Sequence, residues 1–419
     1  MIKRSILPTL HTALETFPVV LLTGARQVGK STIAMTLERE YVTLDDITRF
    51  DGAKYDPRRF VQELPRPVVI DEIQKVPELL VAIKEEVDKN RVNGAFLLTG
   101  SANLLDNQQI ADSLAGRMGI LELWPLSCGE ITGAAGFNPV DALFSGDPIE
   151  GHDTSGGEGL HERILRGGYP ELQKISSEQG RSLWFSSYVS TYIERDVRDI
   201  GELRHLDRFI HLVNILAPRS ATLLNKAELA RTAGVEQKTL ANYLGLLERV
   251  YQIGLLRPYS TNIGKRFTRM PKVYFTDSGA LCHLLGINTA AELKRSPHYG
   301  AAVETYVYSE LLKGCRYAGQ PTRLWHYRTG DRREIDFLIQ RGDRLVAVEV
   351  KAAKTITRKD FTHIENLQAS LPELERGIVL YQGEHSVPFG KNRALPLNAL
   401  CMRRRRKKSS PEHPRRAGY

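Results

Sequence analysis

At 419 residues, 42% of them hydrophobic, the chain exceeds what one core usually serves and has the apolar content to fill two or three. No stretch approaches the roughly 20 unbroken apolar residues of a membrane helix, and Met1-Ile-Lys-Arg leads into no signal-like run, so a cytoplasmic protein with no membrane partner is expected. The net charge of +9 looks like a nucleic-acid signature until it is located: residues 402–419 hold eight Lys/Arg against Glu412, a net +7, leaving +2 on the body.

From Val19 onward short apolar runs alternate with amphipathic segments. Val19-Val-Leu-Leu-Thr23, Val68-Val-Ile70 and Phe96-Leu-Leu98 read as strands of a parallel sheet covered by helices. Directly after the first run, Gly24-Ala25-Arg26-Gln27-Val28-Gly29-Lys30-Ser31 fits the phosphate-loop pattern G-x-x-x-x-G-K-[ST], and a helix-forming run starts at Thr32. Glycines let backbone N–H groups wrap phosphate, and the helix N-terminus adds the positive end of its dipole. Lys30 would reach the β- and γ-phosphates and Ser31 would ligate Mg²⁺. ATP and Mg²⁺ are therefore the expected ligands, held by residues 24 to 32.

The second run ends in Asp71-Glu72, with Asp71 expected in the Mg²⁺ shell and Glu72 as the general base that polarises the attacking water. The third ends in Thr99-Gly-Ser101, where either hydroxyl could orient that water; Thr99 and Ser101 are not ranked by the sequence. Leu114-Ala-Gly-Arg117-Met118 offers Arg117 either as a finger reaching a neighbouring subunit's γ-phosphate, which needs a homo-oligomer, or as one half of a surface ion pair.

Residues 128 to 160, rich in Gly, Ala, Asp and Ser, read as connecting loops. A helical region follows, in which Glu194-Arg-Asp-Val-Arg-Asp199 reads as a solvated face. Asn225 with Glu228 makes a capping-box-like helix start, and Leu229, Val235, Leu240, Leu244 and Leu247 keep helical spacing around a turn at Gly234. Gln237, Lys238 and Asn242 would then face solvent. Leu255 to Tyr259 and Lys272 to Phe275 read as two strands of a wing, with Lys265, Arg266 and Arg269 in the loop between. A winged helix either reads DNA or links domains, and Glu236 and Glu248 weaken the electrostatic case for DNA.

After Pro297 a helical run, Gly300 to Leu312, carries Glu304; two alternating strands then carry Asp336 and Glu349-Val-Lys351. Glu349 and Lys351, two apart on a strand, share a face. Asp336, Glu349 and Glu304 are expected to hold a divalent metal, and Lys351 to orient or deprotonate water on a phosphodiester, making DNA or RNA the substrate of this end. Strand-end acids pairing with a surface lysine are the plainer alternative.

Two resemblances gather these motifs. Asp71 to Leu80, Leu98-Thr-Gly-Ser101, Leu114-Ala-Gly-Arg117 and Leu123-Trp-Pro-Leu-Ser127 resemble the AAA-type ATPases of bacteria and archaea known simply as ATP-binding proteins. Gly167-Gly-Tyr-Pro170, Tyr192-Ile-Glu-Arg-Asp196 and Lys272-Val-Tyr-Phe-Thr-Asp277 resemble their C-terminal half, a domain of unknown function. The resemblance implies an AAA-type fold and ATP binding. The Asp336, Glu349 and Lys351 constellation, with Glu304 as the helix acid, is similar to the core of PD-(D/E)XK nucleases, although Glu334-Ile-Asp336 replaces the usual Pro-Asp.

The expectation is an α/β protein: a parallel-sheet P-loop ATPase domain over 1–160, a helical and winged-helix region over 161–290, a nuclease-like α/β domain over 291–400, and a disordered basic tail over 401–419. The tail would either bind phosphate backbones without sequence preference or merely aid solubility. Cys128, Cys282, Cys315 and Cys401 lie far apart without a Cys-x-x-Cys pair, so reduced structural thiols are expected. In function this reads as an ATP-dependent switch acting on nucleic acid. The alternatives are a regulatory scaffold with a protein partner and an inactive nuclease fold, and a toxin-like or defence ATPase.

Overall fold

The computed structural model describes residues 2–100, 114, 116–145, 159–193, 206–260, 270–330 and 333–401. Ser101, the charged string from Glu194, the loop carrying Lys265, Arg266 and Arg269, and residues 402–419 lie outside the described residues. No helix among the described residues is long and apolar enough to cross a membrane.

The chain opens with α1 (Leu7–Thr16), β1 (Val19–Thr23), α2 (Lys30–Ala34), β2 (Glu40–Thr43), α3 (Ile47–Tyr55), α4 (Pro57–Glu63), β3 (Val68–Asp71), α5 (Leu79–Lys89), β4 (Phe96–Thr99) and β5 (Met118–Glu122). The five strands pair in parallel in the order β2-β3-β4-β1-β5. Every residue of β1, β3 and β4 is buried, as strands covered on both faces require. Side chains alternate between two cores: Val20, Leu22, Val69 and Leu97 in one, Val19, Leu21, Val68, Ile70, Phe96 and Leu98 in the other. Because the strands are parallel, Thr23, Asp71 and Thr99 all finish at the same edge of the sheet.

The expected loops after residue 128 instead contain α6 (Cys128–Ile131) and α7 (Pro139–Ser145). Their polar, glycine-rich composition hid them, because what holds them is tertiary burial of Cys128, Val140, Leu143 and Phe144. Next come α8 (Leu160–Arg166), α9 (Glu178–Tyr188), α10 (Leu206–Leu216), β6 (Thr222–Leu223), α11 (Lys226–Ala233), α12 (Gln237–Arg249), β7 (Ile253–Leu256) and β8 (Lys272–Phe275). The Asn225 side chain accepts the Glu228 N–H at 3.2 Å, and Gly234 ends α11 at φ 63°, a left-handed angle that suits glycine. Leu240, Leu244 and Leu247 are buried while Gln237, Lys238 and Asn242 are exposed. The short strands form an antiparallel sheet, β6-β8-β7. Leu229, Leu240, Leu244 and Phe275 join the same apolar cluster as Val20 and Leu22, so one core runs through both regions.

The remainder is α13 (Ser278–Leu284), α14 (Ala290–Arg295), α15 (Tyr299–Arg316), β9 (Thr322–Arg328), β10 (Glu334–Arg341), β11 (Arg344–Lys351), α16 (Thr362–Ser370), β12 (Leu374–Tyr381), β13 (Val387–Phe389) and β14 (Asn392–Pro396). Its six strands lie in the order β13-β14-β12-β11-β10-β9, with parallel pairing at β11–β12 and β12–β14.

The expectation of four reduced thiols is corrected. Cys128 and Cys401 are bridged, with Cα atoms 4.9 Å apart and a sequence separation of 273. Both ends pack on α15: the Cys128 N–H donates to Glu310 Oε2 at 2.9 Å, and Tyr306 Oη lies 3.5 Å from Cys401 Sγ. Such proximity is made by tertiary packing and leaves no trace in cysteine spacing. Cys282 and Cys315 are free and buried, and burial pushes both thiols up to about 12, so they are unreactive at neutral pH.

Candidate functional site

The loop between β1 and α2 depends on glycine at its first position. Gly24 has φ 144°, and a Cβ there would stand 2.1 Å from the Leu123 carbonyl oxygen, because Leu123 directly follows β5 beside the end of β1. Gly29 caps α2 at φ 97°, again a conformation costly for other residues. Lys30 is buried, and its ammonium donates to the carbonyls of Gly24 at 3.0 Å and Ala25 at 2.9 Å. It is thus folded over the loop that it would share with phosphate.

Asp71, at the end of β3, collects three hydroxyls. Ser31 Oγ donates to Oδ1 at 3.1 Å, Thr99 Oγ1 donates to the same oxygen, and Tyr41 Oη donates to Oδ2 at 2.5 Å. Burial, then the hydrogen bond and charge of Asp71, push the Tyr41 phenol above its ordinary range, so the proton stays on the tyrosine. A carboxylate and a hydroxyl side by side are hard oxygen donors of the kind Mg²⁺ takes, so Ser31 and Asp71 fit that ion. Glu72 follows in the left-handed region, φ 60° and ψ 39°, which a glutamate adopts only under local constraint. The Gln74 amide donates to Glu72 Oε2.

Arg117 stands apart from this group. It precedes β5, whose Met118 pairs with Val19 at the start of β1, whereas the loop leaves the end of β1. The strand length alone, roughly 16 Å for five residues, separates Arg117 from Gly24. Its Nε lies 2.6 Å from Asp88 Oδ1. Within one chain it does not serve this loop.

The C-terminal constellation converges, but around an ammonium. Lys272, at the start of β8 and 2% exposed, places Nζ 3.1 Å from Glu304 Oε1 on α15, 2.6 Å from Glu334 Oε1 and 3.2 Å from Asp336 Oδ1 on β10. Tyr274 Oη adds a 2.6 Å bond to Glu304 Oε1. Asp336 Oδ2 accepts the Val350 N–H at 2.9 Å, while Lys351 Nζ donates to Glu349 Oε1 at 2.8 Å. Burial opposes the Lys272 charge, and the Glu304, Asp336 and Glu334 carboxylates outweigh it, so the ammonium is held protonated. Burial, and then the Asp336 charge, push Glu304 up to about 8 and Glu349 up to about 7.

Of the expected metal ligands Asp336, Glu349 and Glu304, two, Glu304 and Asp336, have the Lys272 ammonium between them. Among the described residues no group of three or more His, Cys, Asp or Glu side chains is placed to hold a metal ion.

Comparison with known proteins bears on this architecture. Residues 16–132 match an AAA domain, 157–291 a domain of unknown function (DUF8612) and 299–400 another (DUF4143). Uncharacterized proteins of Mycobacterium tuberculosis and Mycobacterium bovis are each 31% identical over 392 residues, 92% of this chain and 81% of theirs. The chain belongs to their family. An uncharacterized protein of Methanocaldococcus jannaschii is 24% identical over 265 residues, 58% of this chain and 57% of its own. The structure of Cdc6p from Pyrobaculum aerophilum aligns at 12% identity over 73% of this chain and 92% of that one, with a TM-score of 0.22, too low to bear on the fold.

The family's AAA domain thus carries the phosphate-loop residues, and the boundary between the two domains of unknown function separates Lys272 from the acids it neutralises. Four residues at these sites escaped the sequence reading. Tyr41 and Gln74 orient Asp71 and Glu72. Arg4 is buried, pairs with Glu130 at 3.1 Å and donates to the Val28 carbonyl at 2.7 Å, bracing the loop from behind. Lys272 lay inside the motif Lys272-Val-Tyr-Phe-Thr-Asp277, whose only local signal was a strand.

Proposed function

We propose that the chain is an ATP-hydrolysing switch whose nucleotide state alters how its C-terminal half engages nucleic acid. The observation that carries this reading is the meeting of Lys30, Ser31, Asp71 and Thr99 where the loop after β1 joins the ends of β3 and β4. In it, the phosphates lie over residues 24 to 32 and Lys30 exchanges its two carbonyl partners for phosphate oxygens. Ser31 and Asp71 would hold Mg²⁺, which would supply charge neutralisation at the phosphates. Glu72 accepts a proton from the water that attacks the γ-phosphorus, and the bond to the β-phosphate oxygen breaks to leave ADP. Thr99, on β4, orients that water; Arg117, at the far end of the sheet, serves only a neighbouring chain in this reading.

Coupling has a physical route, since Tyr251 Oη lies 3.5 Å from Thr23, the residue preceding the loop, and Tyr251 follows α12, whose Gln237, Lys238 and Asn242 are exposed. The helix pair with its hairpin β7–β8 is read as a winged helix, and the sheet β9–β14 with α15 as a nuclease-like unit. A second reading, a regulatory protein whose nuclease-like unit does not cleave, is favoured by Lys272 at the acid cluster.

Purified protein assayed on supercoiled DNA with Mg²⁺ or Mn²⁺ tests both. ATP-sensitive DNA binding is expected. Nicking abolished by Asp336→Ala with ATP hydrolysis intact would mark a cutting enzyme, and its absence the regulatory reading. DNA binding indifferent to ATP would overturn the switch.

A further inference from the structure

A groove at the junction of the three regions belongs to neither site. Its volume is about 360 Å³, and its walls come from the end of β5, the strand β7 with the turn before it, the last turns of α15 and the strand β9. β7 and β9 are edge strands of different sheets, joined at one end by a bridge between Pro258 and His326. The volume lies in the range of small-ligand sites.

The lining is chemically specific. Two of the chain's three tryptophans, Trp124 and Trp325, line it together with Tyr251 and Tyr308. Trp124 is 6% exposed and meets Tyr251 edge to face at 5.1 Å, and its buried indole N–H has no hydrogen-bond acceptor. A buried donor left unpaired is destabilising, a deficit that an acceptor on a ligand removes. Gly254 is required here: a Cβ would stand 2.0 Å from Tyr308 Oη, so only glycine lets that hydroxyl lie against β7. Three guanidiniums, Arg257, Arg316 and Arg323, face two carboxylates, Glu122 and Glu248, with Arg316 Nε 3.1 Å from Glu122 Oε2.

We infer that this groove binds a nucleobase, its flat face among the aromatic rings, a ring nitrogen accepting from Trp124 and its phosphate-bearing side towards the arginines. Aromatic side chains stack on any base, and a purine ring nitrogen is the acceptor that an indole N–H lacks. The base has two possible sources, the nucleotide whose phosphates lie on the loop, or a second nucleotide. Both are within reach of the loop, because Glu122 pairs with Thr23 on the neighbouring strand and Tyr251 touches Thr23. The inference rests on the nucleotide reading of residues 24 to 32.

Calorimetric titration of the full chain separates the cases, with adenosine, tripolyphosphate with Mg²⁺, and ATP as probes. Adenosine is expected to bind wild type and Lys30→Ala alike and to bind Trp124→Phe roughly tenfold more weakly, the cost of one lost hydrogen bond. Tripolyphosphate is expected to bind wild type and Trp124→Phe equally, which also establishes that the variant folds. One ATP per chain, displaced by adenosine, assigns the base to the loop nucleotide; two per chain assign it to a second molecule. Adenosine that fails to bind wild type, or binds Trp124→Phe as tightly, overturns the groove. Tripolyphosphate that fails to bind wild type while adenosine binds overturns the loop reading instead and leaves the groove standing.

Discussion

Lys30→Ala is expected to weaken ATP binding by about a hundredfold, the loss that follows from removing charge-assisted hydrogen bonds to phosphate. Lys30 is buried against the loop, and its ammonium is already aimed at the carbonyls of Gly24 and Ala25, so it enters the bound state with little ordering cost. The backbone of the loop is shaped by Gly24 and Gly29 and braced by Arg4 through Val28, none of which the substitution touches. Calorimetry with ATP and Mg²⁺ measures the change, and an affinity equal to wild type would remove Lys30 from the site.

The second large effect lies at the other end of the chain. Lys272→Met keeps the length of the side chain and removes the cation shared by Glu304, Glu334 and Asp336. Breaking a buried ion pair from one side costs about 3–5 kcal/mol, because the acids remain without compensation. The loss should be greatest at alkaline pH. A carboxyl whose folded value is raised, as Glu304 is to about 8, favours the fold while protonated and opposes it as pH rises through that value. Millimolar Mn²⁺ should recover part of the stability in Lys272→Met and none in wild type, since only the variant has room for a replacement cation. Chemical denaturation across pH reads both effects; equal midpoints for the two proteins would mean that Lys272 is not the counter-ion.

What was legible in the sequence was local. The phosphate loop could be read because strand, glycines, lysine and helix follow one another within thirteen residues of Val19, and the motif is itself the geometry. Asp71 and Thr99 were legible for a related reason: in a parallel sheet the ends of successive buried strands arrive at one edge. The helix pair around Gly234 announced itself through its cap and its apolar spacing.

Tertiary choices were not legible. Nothing near Lys272 says that the start of a hairpin strand will enter the acidic centre of a separate sheet and set an ammonium among Glu304, Glu334 and Asp336. Cys128 and Cys401 meet because α6 and the end of the described chain both pack on α15. Tyr41 reaches Asp71 because β2 pairs with β3 in a register placing Thr43 opposite Asp71, a fact of pairing rather than of composition.

Hydrolysis turns on Glu72 as the base, since a loop that binds ATP without hydrolysing it would be a sensor and not a switch. Single-turnover hydrolysis of ATP by wild type and Glu72→Gln, with bound nucleotide measured in the same samples, tests this directly. The glutamine is close in shape and cannot take a proton from water. ATP retained by both proteins but cleaved only by wild type, with at least a hundredfold difference in rate by the usual contribution of a general base, is the expected result; equal rates would contradict it.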